Sequence, residues 1–334
     1  MPLVLRAYLP TGELDLQAIE SAVAIIQRGG IVALPTETVY GLGANALNAE
    51  AVARIFAAKG RPNFNPLIVH VSGVEDAREL VSEWPQAAAM LASAFWPGPL
   101  SMVLPKRPIV PDVVTGGLGA VAIRVPSHPV ARALLAAARL PIAAPSANRS
   151  NAISPTTAEH VLASLGDRID AVLDGGPCRV GIESTVIDLT VWPPHLLRPG
   201  GLHADEIEAV IGPLQRAGSV DAGPRASPGM LSRHYAPDAH AILVAANDID
   251  SAVEELPRDA RVGGLFRGAT RPNDRRIKTW ETLGDDPTGF AQGLYAALHR
   301  IESARVTHVL LEKLPVEGAW EAVADRMMRA AGPR

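Results

Sequence analysis

Residues 30–71 read GIVALPTETVYGLGANALNAEAVARIFAAKGRPNFNPLIVHV, and this stretch decides the fold. The apolar run 31–34 is typical of a buried strand and breaks at Pro35. A turn rich in hydroxyl groups follows, in which Gly41 and Gly43 would allow a close approach of the backbone to a ligand. The order of strand, polar turn and following helix predicts an α/β domain with a ligand site at the turn.

The helix of this stretch begins after Asn48, a good N-cap, and Gly60 is placed to end it. Lys59 and Arg61 flank that glycine, and the apolar run 67–71 predicts a second strand. Two cations at a helix end, beside a glycine-containing turn, form a cradle suited to a polyphosphate. The stretch therefore predicts nucleotide binding.

Composition limits the classes of protein that fit. The chain has 334 residues, of which 48% are hydrophobic and 4% aromatic, so the core must consist of Ala, Val, Leu and Ile, as in a sheet buried on both faces. A net charge of -4 gives no general attraction for nucleic acid or for an anionic membrane. Cys178 is the only cysteine, which excludes a disulfide framework or a multi-Cys zinc site within one chain. A reducing cytoplasm fits this composition.

The sequence shows no targeting or membrane segment. Arg6 and Pro10 interrupt the N-terminus before an apolar region long enough for a signal peptide has formed. No apolar run approaches the roughly 20 residues that a membrane span requires. We therefore expect a soluble, cytoplasmic protein with no membrane contact.

Apolar periodicity predicts two α/β domains joined by a linker. Strands are expected at 31–34, 67–71, 100–104, 121–125, 141–144, 171–173 and 185–189, with helices at 16–28, 49–59, 128–138 and 156–165. Residues 213–238 are rich in Gly, Pro and Ser and read as a linker that could cover the site as a lid. Strands at 241–244, 262–266 and 308–311 then alternate with helices at 249–256, 289–304 and 320–331. We predict a twisted mixed sheet in a domain of residues 1–212 and a small Rossmann-like domain of residues 239–334.

Short polar residues stand where several apolar segments end. They are Thr36 and Thr38 after the first strand, Ser146 and Asn148 after LPIAAP, and Ser184 and Thr185 at the start of TVIDL. Hydroxyl and amide groups at the edge of an α/β sheet commonly line a ligand crevice. Taken singly, each is more often a turn or cap residue, so only their convergence on one place would be informative.

Two arginines near strands have two interpretations each. Arg124 lies in AVAIRVP, on the strand face opposite Ile123 and Val125, and the sequence alone favours a solvated strand edge. Its alternative role is to hold a carboxylate by two parallel hydrogen bonds. Arg198, in LLRPGG, has the same ambiguity.

The other cations and the histidine also have ordinary structural interpretations. Lys59 could serve only as a favourable charge at a helix C-terminus, and Arg61 as a surface residue. His70 alternates with apolar neighbours, so a hydrogen-bonded core histidine and a substrate contact are both consistent with the pattern. The acidic residues show no carboxylate acid-base pair, and no Ser-His-Asp or Cys-His arrangement is convincing.

Together, the motifs resemble a known family. PTETVYGLGANA, KGRPNFNPL, VHV, WPGPLS, RVPSHP, APSAN, SPT, ESTVIDL, LLRPG and PGMLSRHYAP occur in the order found in the YrdC-like threonylcarbamoyl-AMP synthases, in their long two-domain form. The resemblance covers about residues 29–237, and the C-terminal part matches only in general pattern. It implies a YrdC-like α/β domain with a large concave site and a Rossmann-like second domain.

The resemblance implies an ATP-dependent nucleotidyltransferase. Its substrates would be L-threonine, bicarbonate or CO₂, and ATP, and its products L-threonylcarbamoyl-AMP and pyrophosphate. The adenylate would supply N6-threonylcarbamoyladenosine next to the anticodon of tRNA, with separate proteins carrying out the transfer. Mg²⁺ would accompany ATP and be held mainly by its phosphates.

The resemblance also assigns site residues. Lys59, Arg61 and Arg124 would be catalytic, and L-threonine would lie against Thr36, His70, Arg124, Ala144 and Ser184. The ATP set would be Lys59, Arg61, Asn63, Asn65, Ala120, Ser146, Asn148, Ser154, Arg198 and Tyr235, with Tyr235 closing over the nucleotide from the linker. No residue is assigned as general base.

Three positions depart from the family pattern. Ala120 stands where relatives often have Ser or Thr, which leaves only a backbone contact there, and Ser101 replaces the usual Thr of WPGPLT. Asp325 stands where relatives commonly have Asn, which puts the role of the second domain in doubt.

Rival interpretations come from other classes of protein. One is a double-stranded RNA or tRNA-binding module without catalysis, which the charge balance disfavours except as a weak local contact. A second is a carbamoyl-transferring relative. Such a protein would carry cysteine-rich zinc modules, and a chain with a single cysteine cannot form them. An inactive regulatory homologue is disfavoured by the intact set of Lys59, Arg61 and Ser146.

Overall fold

The computed structural model describes residues 1–62, 64–216 and 233–333. These residues form two compact units, and each is described by itself. Among the described residues, unit 1 contains 1–150, 155–179 and 183–216, and unit 2 contains 151–154, 180–182 and 233–333. Most of the predicted linker, residues 217–232, lies outside the described residues, so the predicted domain and lid boundaries stay a prediction.

Unit 1 is built on one mixed sheet. Its strands are β1 (Leu3–Arg6), β2 (Val32–Leu34), β3 (Gly41–Asn45), β4 (Ile68–His70), β5 (Leu100–Pro105), β6 (Ala120–Arg124), β7 (Ile142–Ala143), β8 (Ala171–Asp174), β9 (Thr185–Asp188), β10 (His195–Arg198) and β11 (Gln215–Arg216). They lie in the order β1-β8-β2-β3-β7-β4-β6-β5-β9-β10-β11. The sheet contains parallel pairs, such as β4 with β6, and antiparallel pairs, such as β5 with β6, so the mixed sheet is confirmed.

Helices cover this sheet. They are α1 (Leu16–Gln27), α2 (Ala49–Lys59), α3 (Val74–Arg78), α4 (Gln86–Phe95), α5 (Asp112–Thr115), α6 (Pro129–Ala138), α7 (Ala158–Leu165) and α8 (Ala204–Ile211). The side chain of Asn48 accepts hydrogen bonds from the backbone N–H groups of Glu50 and Ala51 at 3.0 and 3.1 Å, which satisfies two of the donors left open at the start of α2. Gly60 ends this helix at φ 60°, a left-handed conformation that favours glycine.

The two faces of the sheet are covered differently. Ile31 and Ala33 belong to a large apolar cluster on one face, and Val32 and Leu34 belong to a second cluster on the other face, because side chains alternate along a strand. The second cluster contains the inner sides of α1 and α6 and covers the part of the sheet around β2 and β8. Over β4, β5, β6 and β9 this same face carries a much smaller apolar cluster of Ile68, Val103, Ala122 and Val186. Polar side chains fill the rest of that area.

The expected turn at Gly41 and Gly43 is wrong, because both glycines lie in β3. A Cβ on Gly43 would come within 2.6 Å of a Leu34 methyl carbon and 2.9 Å of an Ile142 carbon. A side chain at this position is therefore excluded by core packing between strands. The turn itself is confined to the residues before Gly41.

Unit 2 is a small parallel α/β fold, as predicted. Its strands are β12 (His240–Val244), β13 (Val262–Phe266), β14 (Ile277–Thr282) and β15 (His308–Glu312), and its helices are α9 (Ile249–Glu255), α10 (Pro287–Ser303) and α11 (Glu321–Ala330). The strand order is β12-β15-β13-β14, and each neighbouring pair is parallel. A Cβ on Gly264 would lie 2.2 Å from the Trp280 ring, so this glycine makes room for an aromatic side chain.

The end of the predicted linker packs into unit 2. Tyr235 is 1% exposed and adopts φ 59°, a left-handed conformation that costs a non-glycine residue energy. Its ring lies 5.8 Å from the ring of Tyr295, and the guanidinium carbon of Arg326 lies 5.0 Å from its centroid. These contacts hold Tyr235 against α10 and α11.

Among the described residues, no helix is both long enough and apolar enough to cross a membrane.

Candidate active site

A row of polar side chains lies on the sparsely covered part of the sheet. His70 and Arg124 are register partners in the parallel pair β4 and β6, so they are neighbours on one face. Alternation places Ser101 on the same face, because Val103, two residues along β5, belongs to the small apolar cluster there. Ser184 precedes β9 and lies two residues before Val186 of that cluster. The sheet therefore brings together three of the residues predicted to bind L-threonine, namely His70, Arg124 and Ser184.

Arg124 is buried, so its interpretation as a solvated strand edge is wrong. The residue is 3% exposed, and its Nη2 lies 2.6 Å from Glu37 Oε1. Nη1 donates to Thr38 Oγ1 at 2.9 Å, and Nε donates to the Gly98 carbonyl at 3.1 Å. Within the described part of the chain, the second N–H of each Nη has no partner. The guanidinium is thus held rigidly and still offers two donors.

Glu37 is the main residue that sequence reasoning missed. Its side chain is 3% exposed, and while Oε1 contacts Arg124, Oε2 accepts a hydrogen bond from the Ser127 N–H at 3.0 Å. Burial would raise the pKa of Glu37, but the charge and hydrogen bond of Arg124 and nearby backbone N–H groups bring that pKa below its usual value. The residue is therefore a buried carboxylate anion. Its position between two threonines, directly after a buried strand, was the signal available in the sequence.

Thr36 and Thr38 shape the turn that carries Glu37. The two hydroxyl oxygens lie 2.7 Å apart, and Thr36 Oγ1 donates to the Val39 carbonyl at 2.7 Å. Thr36 Oγ1 also accepts from the backbone N–H groups of Thr38 and Val39 at 3.2 and 3.3 Å. This local network fixes the turn between β2 and β3 and sets the position of Thr38 below Arg124.

His70 is a neutral, buried imidazole. Burial lowers the pKa of His70 to about 3, with Arg124 lowering it further and Glu37 opposing the shift. Its Nδ1 is buried and has no hydrogen-bond partner among the described residues. A buried polar atom without a partner is costly, so this nitrogen is well placed to contact a ligand.

Lys59 forms the second polar cluster. It is 2% exposed, and its Nζ donates to the Ser146 carbonyl at 2.5 Å and to the Asn148 carbonyl. Asn148 Oδ1 lies 3.5 Å from the same nitrogen. Burial lowers the pKa of Lys59 well below its usual value, and the neighbouring Arg61 adds to the shift. The interpretation of Lys59 as only a favourable charge at a helix C-terminus is therefore wrong, because its side chain links α2 to the segment after β7.

Arg61 lies beside Lys59 and is 9% exposed. Its Nη2 donates to the Pro66 carbonyl at 3.3 Å, and Asn65 in the same loop is 5% exposed. The interpretation of Arg61 as an ordinary surface residue is therefore wrong. Asn63, predicted to contact ATP, lies outside the described residues.

Ser184 is held from two sides. Its Oγ lies 2.8 Å from the Ser101 hydroxyl, and Arg198 Nη2 donates to the same oxygen at 3.2 Å. Arg198 also donates from Nε and Nη2 to the Ser184 carbonyl at 3.1 and 2.9 Å. Arg198 is 3% exposed, so a solvated position is excluded for this arginine too. These contacts orient Ser184, one of the residues predicted to bind L-threonine.

The segment 36–41 connects the two cationic clusters. Its N-terminal half contacts Arg124 through Thr38, and its C-terminal end pairs with Ser146 in an isolated bridge from Gly41. The Ala147 N–H donates to the Tyr40 carbonyl at 2.8 Å. Lys59 and Arg124, which the sequence placed 65 positions apart (124 − 59), therefore flank one short segment of unit 1.

The other predicted site residues are placed as follows. Ala144 is 6% exposed and lies opposite Gly41. A Cβ added to Gly41 would be 3.1 Å from the Ala144 Cβ. Ala120 begins β6 and is half-buried. Ser154 and Tyr235 belong to unit 2, where the Ser154 carbonyl lies 3.1 Å from His299 Nε2.

Fold and site together define an α/β protein with a cationic site for an anionic ligand and a second parallel α/β unit. The family model Sua5_yciO_yrdC, described as "Telomere recombination", matches residues 24–200. The model "Threonylcarbamoyl-AMP synthase, C-terminal domain" matches residues 202–332.

Curated relatives match over nearly the whole chain. The threonylcarbamoyl-AMP synthase of Pyrococcus abyssi is 46% identical over 323 residues, covering 95% of this chain and 94% of the relative. The threonylcarbamoyl-AMP synthase of Bacillus subtilis is 42% identical, covering 95% and 93%. The crystal structure of P. abyssi Sua5 complexed with L-threonine matches with a TM-score of 0.89 and 42% identity, covering 99% of this chain and 97% of that one. The chain belongs to the threonylcarbamoyl-AMP synthase (Sua5/YciO/YrdC) family, in its two-domain form.

Proposed function

We infer that this protein is an L-threonylcarbamoyladenylate synthase, a nucleotidyltransferase that acts on L-threonine, bicarbonate and ATP. The threonine amine adds to bicarbonate with loss of water to give a carbamate, and a carbamate oxygen attacks the α-phosphorus and expels pyrophosphate. The observation that carries this conclusion is the buried pair of cationic clusters, around Lys59 and Arg124, on either side of segment 36–41. Relatives with this name, and the similar structure of P. abyssi Sua5 complexed with L-threonine, support it. The product serves the synthesis of N6-threonylcarbamoyladenosine in tRNA.

L-threonine would bind on the row of polar side chains. Arg124 would bind the carboxylate through its two Nη groups, and Ser184 and Thr36 would supply hydroxyl groups near it. The neutral His70 would accept a hydrogen bond through Nδ1, either from the ammonium or from the threonine hydroxyl. Ala144 would supply a small apolar wall.

ATP would bind at the Lys59 cluster. The triphosphate would draw on Lys59 and Arg61, whose adjacent positive charges disfavour each other until an anion is present. We assign Asn63, Asn65, Ala120, Ser146, Asn148, Ser154 and Arg198 to the remaining nucleotide contacts. Because all reactants except threonine are anionic, alignment and charge neutralisation would supply most of the rate enhancement.

No residue is proposed as a dedicated general base. His70 has a pKa of about 3 and so holds a proton poorly at neutral pH, which suits a hydrogen-bond acceptor better than a proton carrier. Carbamate formation would therefore depend on substrate groups or take place before binding.

Mg²⁺ would enter with ATP. Among the described residues, no group of three or more His, Cys, Asp or Glu is placed to hold a metal ion. The metal would be held mainly by the phosphates and would neutralise part of their charge.

The linker would regulate access to the nucleotide. We propose that residues 213–238 act as a lid in which Tyr235 closes over ATP. The protein would work in the cytoplasm and pass its adenylate to separate tRNA threonylcarbamoyl-transfer proteins. RNA contact would be weak and local, given the net charge of -4.

The direct test is product formation. Incubating the protein with ATP, bicarbonate, Mg²⁺ and labelled L-threonine should yield a threonine-dependent adenylate and an equal amount of pyrophosphate, measured by chromatography. Omitting bicarbonate should abolish both products. If tRNA binds tightly in a gel-shift assay while ATP does not bind and no adenylate forms, the protein is an RNA-binding module instead.

Ser101 should tune threonine binding through Ser184. Ser101→Ala removes the hydroxyl that lies 2.8 Å from Ser184 Oγ, in a residue that is 0% exposed. We expect the KM for threonine to rise about threefold to tenfold, the range of one net hydrogen bond, while the KM for ATP changes little. Ser101→Thr keeps the hydroxyl and should stay near the wild-type KM. An equal rise of both KM values in Ser101→Ala would show that Ser101 acts only on general packing.

A further inference from the structure

We propose that Glu37 makes the threonine site selective for a zwitterion by balancing the charge of Arg124 and fixing its orientation. Glu37 is a positioning residue in this proposal, because it acts through Arg124. The inference rests on the proposed function, since it assumes that L-threonine binds beside Arg124.

The geometry supports a permanent pair. Glu37 and Arg124 approach to 2.6 Å with side chains that are 3% and 4% exposed, so water screens their attraction little. The Ser127 N–H holds the second carboxylate oxygen at 3.0 Å, and the Thr38 hydroxyl and Gly98 carbonyl hold the other nitrogens of Arg124. Neither side chain can turn away without leaving a buried charge unpaired.

Within this pair, the charge of Glu37 balances that of Arg124. Arg124 is positive and Glu37 negative, while His70, beside Arg124 on the sheet, is a neutral imidazole. Cys178 and His128 also lie near Glu37, and burial favours the neutral thiol and the neutral imidazole in them. A threonine zwitterion adds no net charge to this buried group of residues. A carboxylate ligand without an ammonium group adds an uncompensated negative charge, which is costly in a buried site.

A purely structural role for Glu37 predicts a different pattern. Loss of a buried carboxylate that only stabilises the turn would weaken every ligand of the site by a similar factor. Loss of a charge that selects zwitterions would weaken threonine more than an anionic analogue. The ratio of two affinities therefore separates the two roles.

The experiment compares L-threonine with 2,3-dihydroxybutanoate of the same stereochemistry, in which a hydroxyl replaces the ammonium group. Affinities of the full-length protein are measured by calorimetry for the wild type, Glu37→Gln and Glu37→Asp. The matched control is Asp188→Asn, which changes another buried carboxylate of the same sheet, one that accepts hydrogen bonds from Thr190 at 2.9 and 2.6 Å.

The wild type should prefer threonine, and Glu37→Gln should reduce that preference about tenfold or more, the size of one charged interaction. Glu37→Asp keeps the charge and should keep the preference within about threefold, even where both affinities fall. Asp188→Asn should keep the wild-type preference. An unchanged preference in Glu37→Gln overturns the proposal.

Two further outcomes are decisive. If Glu37→Gln does not fold, as judged by circular dichroism, Glu37→Asp decides alone, and loss of the preference in this charge-retaining variant overturns the proposal. If the wild type itself neither binds threonine nor forms the adenylate, the proposed function fails. If the wild type forms the adenylate but Glu37→Gln keeps the wild-type preference for threonine, the proposed function stands and only the role of Glu37 is rejected.

Discussion

Lys59→Met should lower the rate of pyrophosphate release by about 100-fold to 1000-fold, the loss seen when one donor is removed from a preorganised site for developing charge. Methionine keeps most of the unbranched lysine side chain but has no N–H donor, so the triphosphate loses a cation and the Ser146 and Asn148 carbonyls lose their donor. The KM for ATP should rise with the fall in rate, whereas direct binding of L-threonine should stay within about twofold of wild type, because Arg124 is untouched.

A matched lysine provides the control. Lys106→Met removes a lysine that also contacts a backbone carbonyl, that of Val110 at 2.8 Å, and whose side chain is 12% exposed. It lies in a separate ion pair with Asp112 at the far end of β5 and should leave pyrophosphate release near the wild-type rate. Equal losses in the two variants would show that Lys59 contributes only to folding.

Proton uptake gives a second measurement on Lys59. Its pKa is lowered in the free protein by burial and by Arg61, and phosphate anions would raise it again by favouring the ammonium form. ATP binding should therefore take up a proton, and ATP affinity should fall as the pH rises above the pKa of the free protein. Calorimetry in buffers of different ionisation enthalpy should detect this uptake in the wild type and not in Lys59→Met. Uptake that persists in the variant would assign the proton to another group.

Local signals in the sequence predicted the helix that carries Lys59. Asn48 as N-cap and Gly60 as C-cap act within one turn of their helix, so their residue types are enough to place its ends. Apolar runs also predicted β13 and β15 of unit 2, which are buried on both faces. The family motifs added the order of the site residues along the chain.

Elements stabilised by distant contacts were missed. β3 contains two glycines, which disfavour a strand, and it forms because Leu34 and Ile142 fill the space that side chains at Gly43 would need. Other strands and helices that were not predicted are β1, β10, β11, β14, α3, α4, α5 and α8. Several of these are short or have exposed faces, as in β1, where apolar periodicity carries little information.

The burial of Arg124 could not be predicted for the same reason. An arginine in a strand is ordinarily solvated unless a buried partner balances its charge, and that partner, Glu37, lies in a different part of the sequence. Likewise, the role of Arg198 in holding Ser184 depends on the pairing of β9 with β10, which brings the two residues together. Sequence patterns identified the chemistry of the site, and the sheet register determined which residues meet.

Arg124→Met should nearly abolish threonine-dependent pyrophosphate release, because the threonine carboxylate loses two N–H donors while Glu37 is left as a buried, unpaired anion. Loss of a bidentate charged contact should lower threonine affinity by at least about 100-fold. ATP binding, measured separately by calorimetry, should stay within about threefold of wild type, since the Lys59 cluster is intact.

L-threoninol, the amino alcohol that lacks the carboxylate, shows whether Arg124 acts on that group. Threoninol retains the ammonium group, which the unpaired Glu37 of Arg124→Met should attract. The affinity of this variant for threoninol should therefore equal or exceed the affinity of the wild type for threoninol. Arg107→Met serves as the control, because this half-exposed arginine donates to the Val81 carbonyl at 2.8 Å on a different part of unit 1. Should threonine and threoninol lose affinity equally in Arg124→Met, the guanidinium supports the fold of the site and does not bind the carboxylate.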